Sequence, residues 1–267
     1  MIRRPPRSTL SSSSAASDVY KRQVTGRSRA EIVADPQMTL SKNQLTRLNN
    51  DLRTLAAGTP FAYISGRKEF FGIELEISKS VLVPRPETEL LVEMVLTIAP
   101  KNATLLDLGT GSGAIALAIA KERPDIKVSA SDLSMSALEI AKKNARSLHL
   151  NLTFFHSNWY QSLPRSKWDL LVSNPPYVSK NDPHLDALEN EPIDALVSVT
   201  DGLEAIRQIV RGSSHFLNPQ GHLLIEHGFN QSEAVSRIFA ANSFKSVVSA
   251  KDYSGIERVK LGKFNGG

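Results

Sequence analysis

The sequence predicts an α/β protein built on a doubly wound, mostly parallel sheet of seven strands. From residue 104 onward, short apolar runs typical of buried strands alternate with longer segments of helical periodicity. Such alternation is typical of a sheet that carries helices on both faces. The chain has 267 residues, of which 41% are hydrophobic and 22% charged, as in an ordinary globular protein.

The elements of this sheet follow one another in a regular order. The predicted strands are 104–108, 126–131, 152–155, 168–173, 222–226, 245–249 and 258–261. The predicted helices between them are 113–122, 134–148, 202–215 and 231–241. Only a short turn separates the last two strands, which predicts one antiparallel member in an otherwise parallel sheet.

Two further elements are predicted before the sheet. In residues 24–65, Ser41 and Gln44 form a capping-box pattern, and the segment continues with leucines at helical spacing, namely Leu45, Leu48, Leu52 and Leu55. We expect this segment to be the remnant of a larger helical domain. Residues 66–83 alternate apolar and polar side chains and predict a β-hairpin linker. A helix is then expected from about residue 87 to residue 99, with Pro86 at its start.

The first 23 residues differ in composition from the rest. They contain five basic residues and one acidic residue, a serine run and no periodicity, and they resemble translated sequencing-adapter text. We therefore expect residues 1–23 to be a non-native, disordered leader. The whole chain has a formal net charge of +5, of which the leader contributes +4 and residues 24–267 only +1. A general basic surface for nucleic acid is not indicated.

The composition excludes several kinds of site. There is no cysteine, which excludes disulfides, thiolate nucleophiles and Cys-based metal centres. The six histidines have no ligand-like spacing, so no metal site is predicted. No apolar run approaches the roughly 18 residues of a membrane span. Glu226 and His227, at the end of a predicted strand, are expected to have structural roles.

A glycine-rich segment, from Asp107 to Ala114, joins the first strand of the sheet to its helix. Glycines at this turn allow the backbone to approach a nucleotide-like ligand closely. Asp132, at the end of the next strand, is placed to accept hydrogen bonds from ribose hydroxyls. The segment also satisfies the relaxed dinucleotide fingerprint, so NAD is the alternative ligand. S-adenosylmethionine is favoured over NAD for two reasons. Asp107, inside the strand, can contact the amino-acid end of S-adenosylmethionine. This ligand also has no pyrophosphate that would have to bind at the N-terminus of the helix.

A second motif, Asn174-Pro175-Pro176-Tyr177, follows the buried strand 168–173. The two prolines fix φ, remove two backbone donors and make the turn rigid. Fixed acceptors beside an aromatic ring suit a planar NH₂ group, such as an amide or an exocyclic base amine. Because ligands bind beyond the carboxyl ends of parallel strands, these four residues are the predicted catalytic residues.

From Val24 to Gly262 the chain resembles the release-factor glutamine N5-methyltransferases, which have a Rossmann-like methyltransferase fold. The matching text is Phe70-Phe71-Gly72, Pro84 to Glu89, Asp107 to Ala114, Ser173 to Tyr177, Asp182-Pro183-His184, Glu226-His227-Gly228 and Gly255 to Val259. The resemblance implies methyl transfer from S-adenosylmethionine to the side-chain amide nitrogen of the glutamine in the Gly-Gly-Gln motif of peptide chain release factors. It also implies a cytoplasmic enzyme, and we expect a monomer with no membrane and no direct nucleic-acid partner.

The resemblance assigns roles to individual residues. The implied cofactor-binding set is Asp107, Gly109, Thr110, Gly111, Ser112, Gly113, Asp132, Asn158, Trp159 and Asn174, with Trp159 near the adenine. The implied substrate-binding set is Asn174, Pro175, Pro176, Tyr177, Phe70 and Arg85. Residues 24–65 would recruit the release factor, and residues 84–267 would form the methyltransferase domain. The family often carries Arg-Phe before a Glu-Pro pair, whereas this chain has Glu189-Asn190 before Glu191-Pro192.

Two other functions fit parts of the sequence. The Asn-Pro-Pro-Tyr motif is shared with adenine N6-type enzymes, so an exocyclic-amine methyltransferase of nucleic acid is the main alternative. Such an enzyme needs a basic recognition surface, and the net charge of +1 for residues 24–267 argues against it. A non-catalytic binding protein would tolerate erosion of the glycine segment or the tetrapeptide, but both are intact.

Overall fold

The computed structural model describes residues 20–35, 37–182, 185, 189–198 and 201–266. Pro183, His184 and Leu188, which belong to the predicted segment after the tetrapeptide, lie outside the described residues. The N-terminal part is helical: residues 20–25 form a helical turn, followed by α1 (Arg29–Ala34), α2 (Lys42–Ala56) and α3 (Phe61–Ser65). Within the described ranges, no helix is both long and apolar enough to cross a membrane.

Residues 20–23, which we expected to belong to a disordered leader, are part of the packed structure. Tyr20 is buried, its hydroxyl donates to Asp51 Oδ2 at 2.6 Å, and its ring meets that of Phe61 edge-on with centroids 5.4 Å apart. The structure therefore corrects the expected boundary at residue 23, because an aromatic ring with two long-range partners sits before it. Residues 1–19 of the predicted leader lie outside the described residues.

Helix α2 begins as predicted, but the structure leaves its leucine face largely exposed. Ser41 accepts a hydrogen bond from Gln44 N, and the Gln44 side chain accepts one from Ser41 N, which confirms the capping box. The leucine stripe is not buried, since Leu45, Leu52 and Leu55 are 46%, 51% and 42% exposed. Helical spacing determines which side chains share a face, whereas tertiary packing determines whether that face is covered.

The predicted hairpin is confirmed between the helical segment and the sheet. Strands β1 (Arg67–Phe70) and β2 (Ile73–Glu76) pair antiparallel through a turn at residues 71–72. The predicted helix that follows starts with a 3₁₀ turn, Pro86–Thr88, and continues as α4 (Glu89–Ile98). Proline suits the first position of a helix, because a backbone N–H at that position would have no partner within the helix.

The remaining elements alternate as the sequence predicts, with boundaries that agree within a few residues except for β9, which starts earlier. The strands are β3 (Thr104–Leu108), β4 (Lys127–Asp132), β5 (Thr153–His156), β6 (Trp168–Ser173), β7 (Val178–Ser179), β8 (Val197–Ser198), β9 (Leu217–Glu226), β10 (Phe244–Lys251) and β11 (Glu257–Phe264). The helices are α5 (Ala114–Glu122), α6 (Met135–Ser147), α7 (Glu204–Ser213) and α8 (Ser232–Ala240). Strands β7 and β8, two residues each, form a separate small parallel pair that the sequence did not predict.

The central sheet has seven strands in the order β10-β11-β9-β6-β3-β4-β5. Strands β5, β4, β3, β6 and β9 are parallel, and β11 pairs antiparallel with both β9 and β10. The predicted fold class and its single antiparallel member are thus confirmed. Two apolar clusters cover the two faces of the sheet, one including the hairpin, α4 and α5 and the other including α7 and α8.

Candidate active site

Register places the two predicted motifs at one edge of the sheet. Strand β6 lies between β3 and β9, with Ser173 level with Leu108 on one side and Ile225 on the other. The next residue along each strand is therefore Gly109, Asn174 or Glu226. In open α/β sheets ligands bind at this edge, where the strand order reverses.

The glycine segment forms a tight loop between β3 and α5. Gly109, Gly111 and Gly113 all have positive φ, at 72°, 55° and 84°. The N–H groups of Gly109 and Thr110 both donate to Ser131 O at 2.9 Å, which ties the loop to β4. A Cβ on Gly113 would lie 2.9 Å from Leu117 Cδ1 and 3.3 Å from Ala141 Cβ, so a larger residue would have to displace these buried side chains. Glycine is therefore required for both the turn and the packing.

Asp107, in the strand before the loop, is a fully buried carboxylate with an unused oxygen. Its Oδ2 accepts from the Thr110 hydroxyl at 2.6 Å, while Oδ1 has no hydrogen-bond partner among the described residues. Burial raises the pKa of Asp107 to about 7, although the Thr110 hydroxyl favours the charged form. A buried carboxylate with one free oxygen is suited to a cationic ligand group.

Asp132, at the end of β4, braces the glycine loop. Its Oδ2 accepts from Gly111 N at 2.8 Å and its Oδ1 from Ser134 N at 2.8 Å. Burial raises its pKa, and these backbone donors oppose the shift. Each carboxylate oxygen can accept more than one hydrogen bond, so these contacts leave acceptor capacity for a ligand hydroxyl.

Trp159 closes the loop from the other side. A Cβ on Gly109 would lie 3.4 Å from the Trp159 ring, so the ring packs on the bare glycine backbone. Trp159 has φ of 48°, which is unusual for a bulky residue, and its carbonyl accepts from the Ser157 hydroxyl at 2.9 Å. Asn158, half-buried, precedes it, and Ser112 is buried in the loop. The orphan oxygen of Asp107 and the glycine surface beneath an indole fit a nucleotide-like ligand with a cationic end.

Three residues of the tetrapeptide line a cavity of about 250 Å³ beside this loop. Its wall is formed by Leu82, Arg85, Asn174, Pro175, Tyr177, Val178, Ala195 and Leu196. The Asn174 Nδ2 group donates to the Thr88 hydroxyl at 3.1 Å. Because the nitrogen is used in this way, Oδ1 is left as the group that can accept from a ligand. Pro176 follows as a half-buried residue that stiffens the turn.

Tyr177 is held at both ends. Its hydroxyl donates to Glu226 Oε1 at 3.2 Å, and its carbonyl accepts from Gln231 Nε2 at 2.9 Å. Burial and the neighbouring Glu226 carboxylate raise the pKa of the Tyr177 hydroxyl well above its usual value. Tyr177 is therefore a neutral wall of the cavity and not a base.

Arg85 lines the cavity and forms an ion pair with Glu191, whose side chain is buried. The other Glu191 oxygen accepts from Val83 N at 3.3 Å. The pair joins the segment before α4 to the loop after β7. The Glu191-Pro192 pair is visible in the sequence, but the contact of Glu191 with Arg85 is not, because the two residues are distant along the chain.

Phe70, a predicted substrate residue, lies away from the cavity wall. Its side chain is 1% exposed and belongs to the core with Leu75 and Leu91. The expectation that it contacts substrate is corrected: the hairpin turn directs this ring into the core, and Leu82 takes a place on the cavity wall. Alternation alone could not tell which face of the hairpin would meet the sheet domain.

Asn144, on α6, is a site residue that sequence reasoning missed. Its Nδ2 donates to Ser112 O at 2.9 Å and to Glu76 O at 3.0 Å, and its Oδ1 accepts from Glu76 N at 2.7 Å. One buried amide thus ties the glycine loop to the hairpin. A polar residue on the apolar face of a predicted helix was the only available signal.

The described part of the chain contains no group of three or more His, Asp or Glu side chains arranged to hold a metal ion. His227 is buried, with Nδ1 2.9 Å from Gly228 O, and burial lowers its pKa. A buried histidine with a lowered pKa is neutral near pH 7, and its Nε2 has no hydrogen-bond partner among the described residues.

Two family models match the chain. The model described as "Methyltransferase small domain" matches residues 86–195, and the one described as "PrmC N-terminal domain" matches residues 10–66. The second match begins inside the segment that we expected to be a foreign leader.

Solved structures with a similar fold support the architecture alone, because their sequence identity is low. A methyltransferase from Pyrococcus furiosus gives a TM-score of 0.57 at 19% identity, over 85% of this chain and 100% of that chain. A 16S rRNA N2 G1207 methyltransferase from T. thermophilus, in complex with AdoMet and guanosine, gives a TM-score of 0.56 at 17% identity. That match covers 74% of this chain and 49% of the other.

Curated relatives share much more of the sequence. The release factor glutamine methyltransferase of Coxiella burnetii is 41% identical over 243 residues, which is 90% of this chain and 88% of that protein. The enzyme of the same name from Escherichia coli is 39% identical over 251 residues, covering 92% and 91% of the two chains. The one from Neisseria gonorrhoeae is 47% identical over 211 residues, covering 78% and 77%. The chain therefore belongs to the release factor glutamine methyltransferase family.

Proposed function

We propose that this protein transfers a methyl group from S-adenosylmethionine to the side-chain amide nitrogen of the glutamine in the Gly-Gly-Gln motif of peptide chain release factors. The observation that carries the proposal is the orientation of Asn174. Its nitrogen is used by Thr88, so its oxygen is the group available to an amide N–H in the cavity. The names of relatives at 39% to 47% identity support the same substrate.

The chain's own residues account for the chemistry by orientation. A carboxamide nitrogen is a poor nucleophile, because its lone pair is delocalised into the carbonyl. Asn174 Oδ1 and the Pro175 carbonyl each accept a hydrogen bond from one N–H group of the substrate amide. These two hydrogen bonds direct the nitrogen lone pair out of the amide plane. Fixed acceptors also stabilise the positive charge that develops on this nitrogen. The proton leaves after the transfer, so no strong base is required, and the neutral Tyr177 only walls the cavity.

S-adenosylmethionine supplies an electrophilic methyl group when bound. The residues of the glycine loop fit it in three places. The free Asp107 oxygen holds the cationic amino-acid end, Asp132 accepts from the ribose hydroxyls, and Trp159 packs beside the adenine. Asn158 and the loop residues Gly109, Thr110, Gly111, Ser112 and Gly113 complete this cofactor-binding set. Arg85 and Pro176 border the substrate amide.

The other parts of the proposal concern the whole molecule. Residues 24–65, together with the described residues 20–23, recruit the release factor, and residues 84–267 carry the reaction. Both motifs come from one chain, so a monomer suffices for activity. The reaction takes place in the cytoplasm, where release factors act on ribosomes. No nucleic acid is a direct substrate.

The test is methyl transfer from labelled S-adenosylmethionine by the purified protein. We expect label in a release factor and none in its Gly-Gly-Ala variant. A third reaction contains an adenine-containing oligonucleotide in place of the release factor. Label in the oligonucleotide, or equal label in the two release factors, would refute the proposal.

A further inference from the structure

A buried carboxylate lies next to the tetrapeptide and has no role in the mechanism above. Glu226 ends β9, is 1% exposed, and has one oxygen, Oε2, without a hydrogen-bond partner among the described residues. Burying a carboxylate is costly, and a side chain with only a structural role is usually fully paired. Glu226 stands one residue beyond Ile225, which is level with Ser173, so it lies beside the start of the tetrapeptide.

Two hydroxyl groups converge on this carboxylate. Tyr177 donates to Oε1 at 3.2 Å. The Thr88 hydroxyl also acts on Glu226 as a hydrogen-bond partner that favours its charged form. Thr88 in turn accepts from Asn174 Nδ2 at 3.1 Å. The four side chains therefore form one network, in which Thr88 lies between Glu226 and the amide that faces the substrate.

The direction of each hydrogen bond in this network follows from proton counting. An ionised carboxylate only accepts, so Thr88 must give its single proton to Glu226. The Thr88 oxygen can then only accept from Asn174, which selects the amide nitrogen and leaves Oδ1 for the cavity. If Glu226 were neutral, Thr88 could donate to Asn174 instead. The amide would then turn and present a donor to the substrate NH₂, which is itself a donor.

We propose that Glu226 is a positioning residue, whose carboxylate acts through Thr88 to fix the Asn174 amide with its oxygen toward the substrate. This inference rests on the proposed function, since it concerns the orientation of the same substrate amide. It gives a reason for a buried carboxylate at this place. It also makes Thr88, on the 3₁₀ turn before α4, a part of the site.

The ionisation of Glu226 links this network to pH. Burial raises its pKa to about 7, against the lowering effects of the Thr88 and Tyr177 hydroxyls and of Arg258 on β11, and Glu87 raises it further. Glu226 therefore becomes protonated, and loses its negative charge, as the pH falls through about 7. Methyl transfer should decrease over the same range, because the Asn174 amide is then no longer held in one orientation.

The first experiment compares Thr88→Val with Thr88→Ser in single-turnover methyl transfer to a release factor. Valine has the same shape but cannot relay a hydrogen bond, whereas serine can. We expect Thr88→Val to lower the rate by about tenfold to a hundredfold, as for loss of a preorganised polar contact, and Thr88→Ser to stay within about threefold of wild type. S-adenosylmethionine affinity should be unchanged in both. Thr97→Val, at an exposed threonine on α4, is the matched control.

The second experiment compares Glu226→Gln with wild type from about pH 6 to about pH 9. The wild-type rate should rise through about pH 7, whereas Glu226→Gln should be slower at high pH and should lack this rise. Glu233→Gln, at an exposed glutamate on α8, is the control for the same chemical change. Both proteins are measured at saturating S-adenosylmethionine, so that the titration of Asp107, which changes cofactor affinity, does not contribute. A rise that then persists in Glu226→Gln overturns the link to pH.

A wild-type rate in Thr88→Val overturns the positioning role itself, and this result can be read even if Glu226→Gln does not fold. An equal loss in Thr88→Ser and Thr88→Val would also overturn it, because the hydroxyl would then not matter. Failure of the proposed function has a different signature. In that case the wild-type protein itself transfers no methyl group to the release factor.

Discussion

A methyl group added at Gly202 would test how the structure holds Tyr177. Gly202 precedes α7 and has φ of +78°, and a Cβ there would lie 2.4 Å from the Tyr177 carbonyl oxygen and 2.8 Å from Gln231 Nε2. Reaching an ordinary van der Waals contact requires a displacement of about 1 Å. We therefore expect Gly202→Ala to move the tetrapeptide, although Gly202 itself does not line the cavity.

Gly255→Ala provides the matched control. Gly255 has φ of +81°, and nothing lies within 4 Å of the position its Cβ would take. Both variants incur the left-handed backbone cost of about 1–2 kcal/mol. Gly202→Ala should also weaken the Gln231–Tyr177 hydrogen bond of 2.9 Å, which adds about 1 kcal/mol. We expect a loss of unfolding free energy of about 2–3 kcal/mol for Gly202→Ala, against about 1–2 kcal/mol for the control.

The assay combines denaturant unfolding with single-turnover methyl transfer. A displacement of about 1 Å in a positioning residue can cost about a hundredfold in rate, so Gly202→Ala should lose most of its activity. Gly255→Ala should keep the wild-type rate. Equal losses of stability in the two variants, together with full activity of Gly202→Ala, would refute the reasoning.

Three other predictions concern the two motifs. Asp132→Ala should weaken S-adenosylmethionine binding about tenfold to a hundredfold in calorimetry, because it removes charge-assisted hydrogen bonds to the ribose and to Gly111 N. Since burial raises the pKa of Asp107 to about 7, cofactor affinity should fall as the pH decreases through that value, and Asp107→Asn should abolish the pH dependence. Asn174→Asp should lower the single-turnover rate, and Asn174→Ala should lower it further, by about 2–4 kcal/mol in activation free energy.

Each of these predictions has a result that contradicts it. Wild-type affinity in Asp132→Ala would remove this carboxylate from the cofactor site. A pH dependence of binding that survives in Asp107→Asn would have to come from another group. A wild-type or higher rate for Asn174→Asp, increasing with pH, would indicate base catalysis in place of orientation.

The sequence determined most of the local structure by itself. Strands β3 and β6 match their predicted bounds, because continuous apolar runs between polar ends mark buried parallel strands. The capping box at Ser41 was predicted because its two hydrogen bonds join residues only three apart. The glycine loop and the tetrapeptide could also be predicted from the sequence, since both depend on residue types at fixed short spacing.

The position of the site at one edge of the sheet could be predicted from general topology. Parallel strands that alternate with helices have their carboxyl ends at one edge, so the loop after β3 and the tetrapeptide after β6 were expected at the same edge. The order of the strands made this more definite, because β3 and β6 pair directly.

Only the tertiary structure decided which side chains support these motifs. Thr88, Asn144, Glu191 and Glu226 contact the site across long stretches of chain, and no local pattern specifies such partners. The same limit applies to burial. A helical or alternating pattern shows which residues share a face, but the outward leucines of α2 and the buried ring of Phe70 depend on what packs against that face.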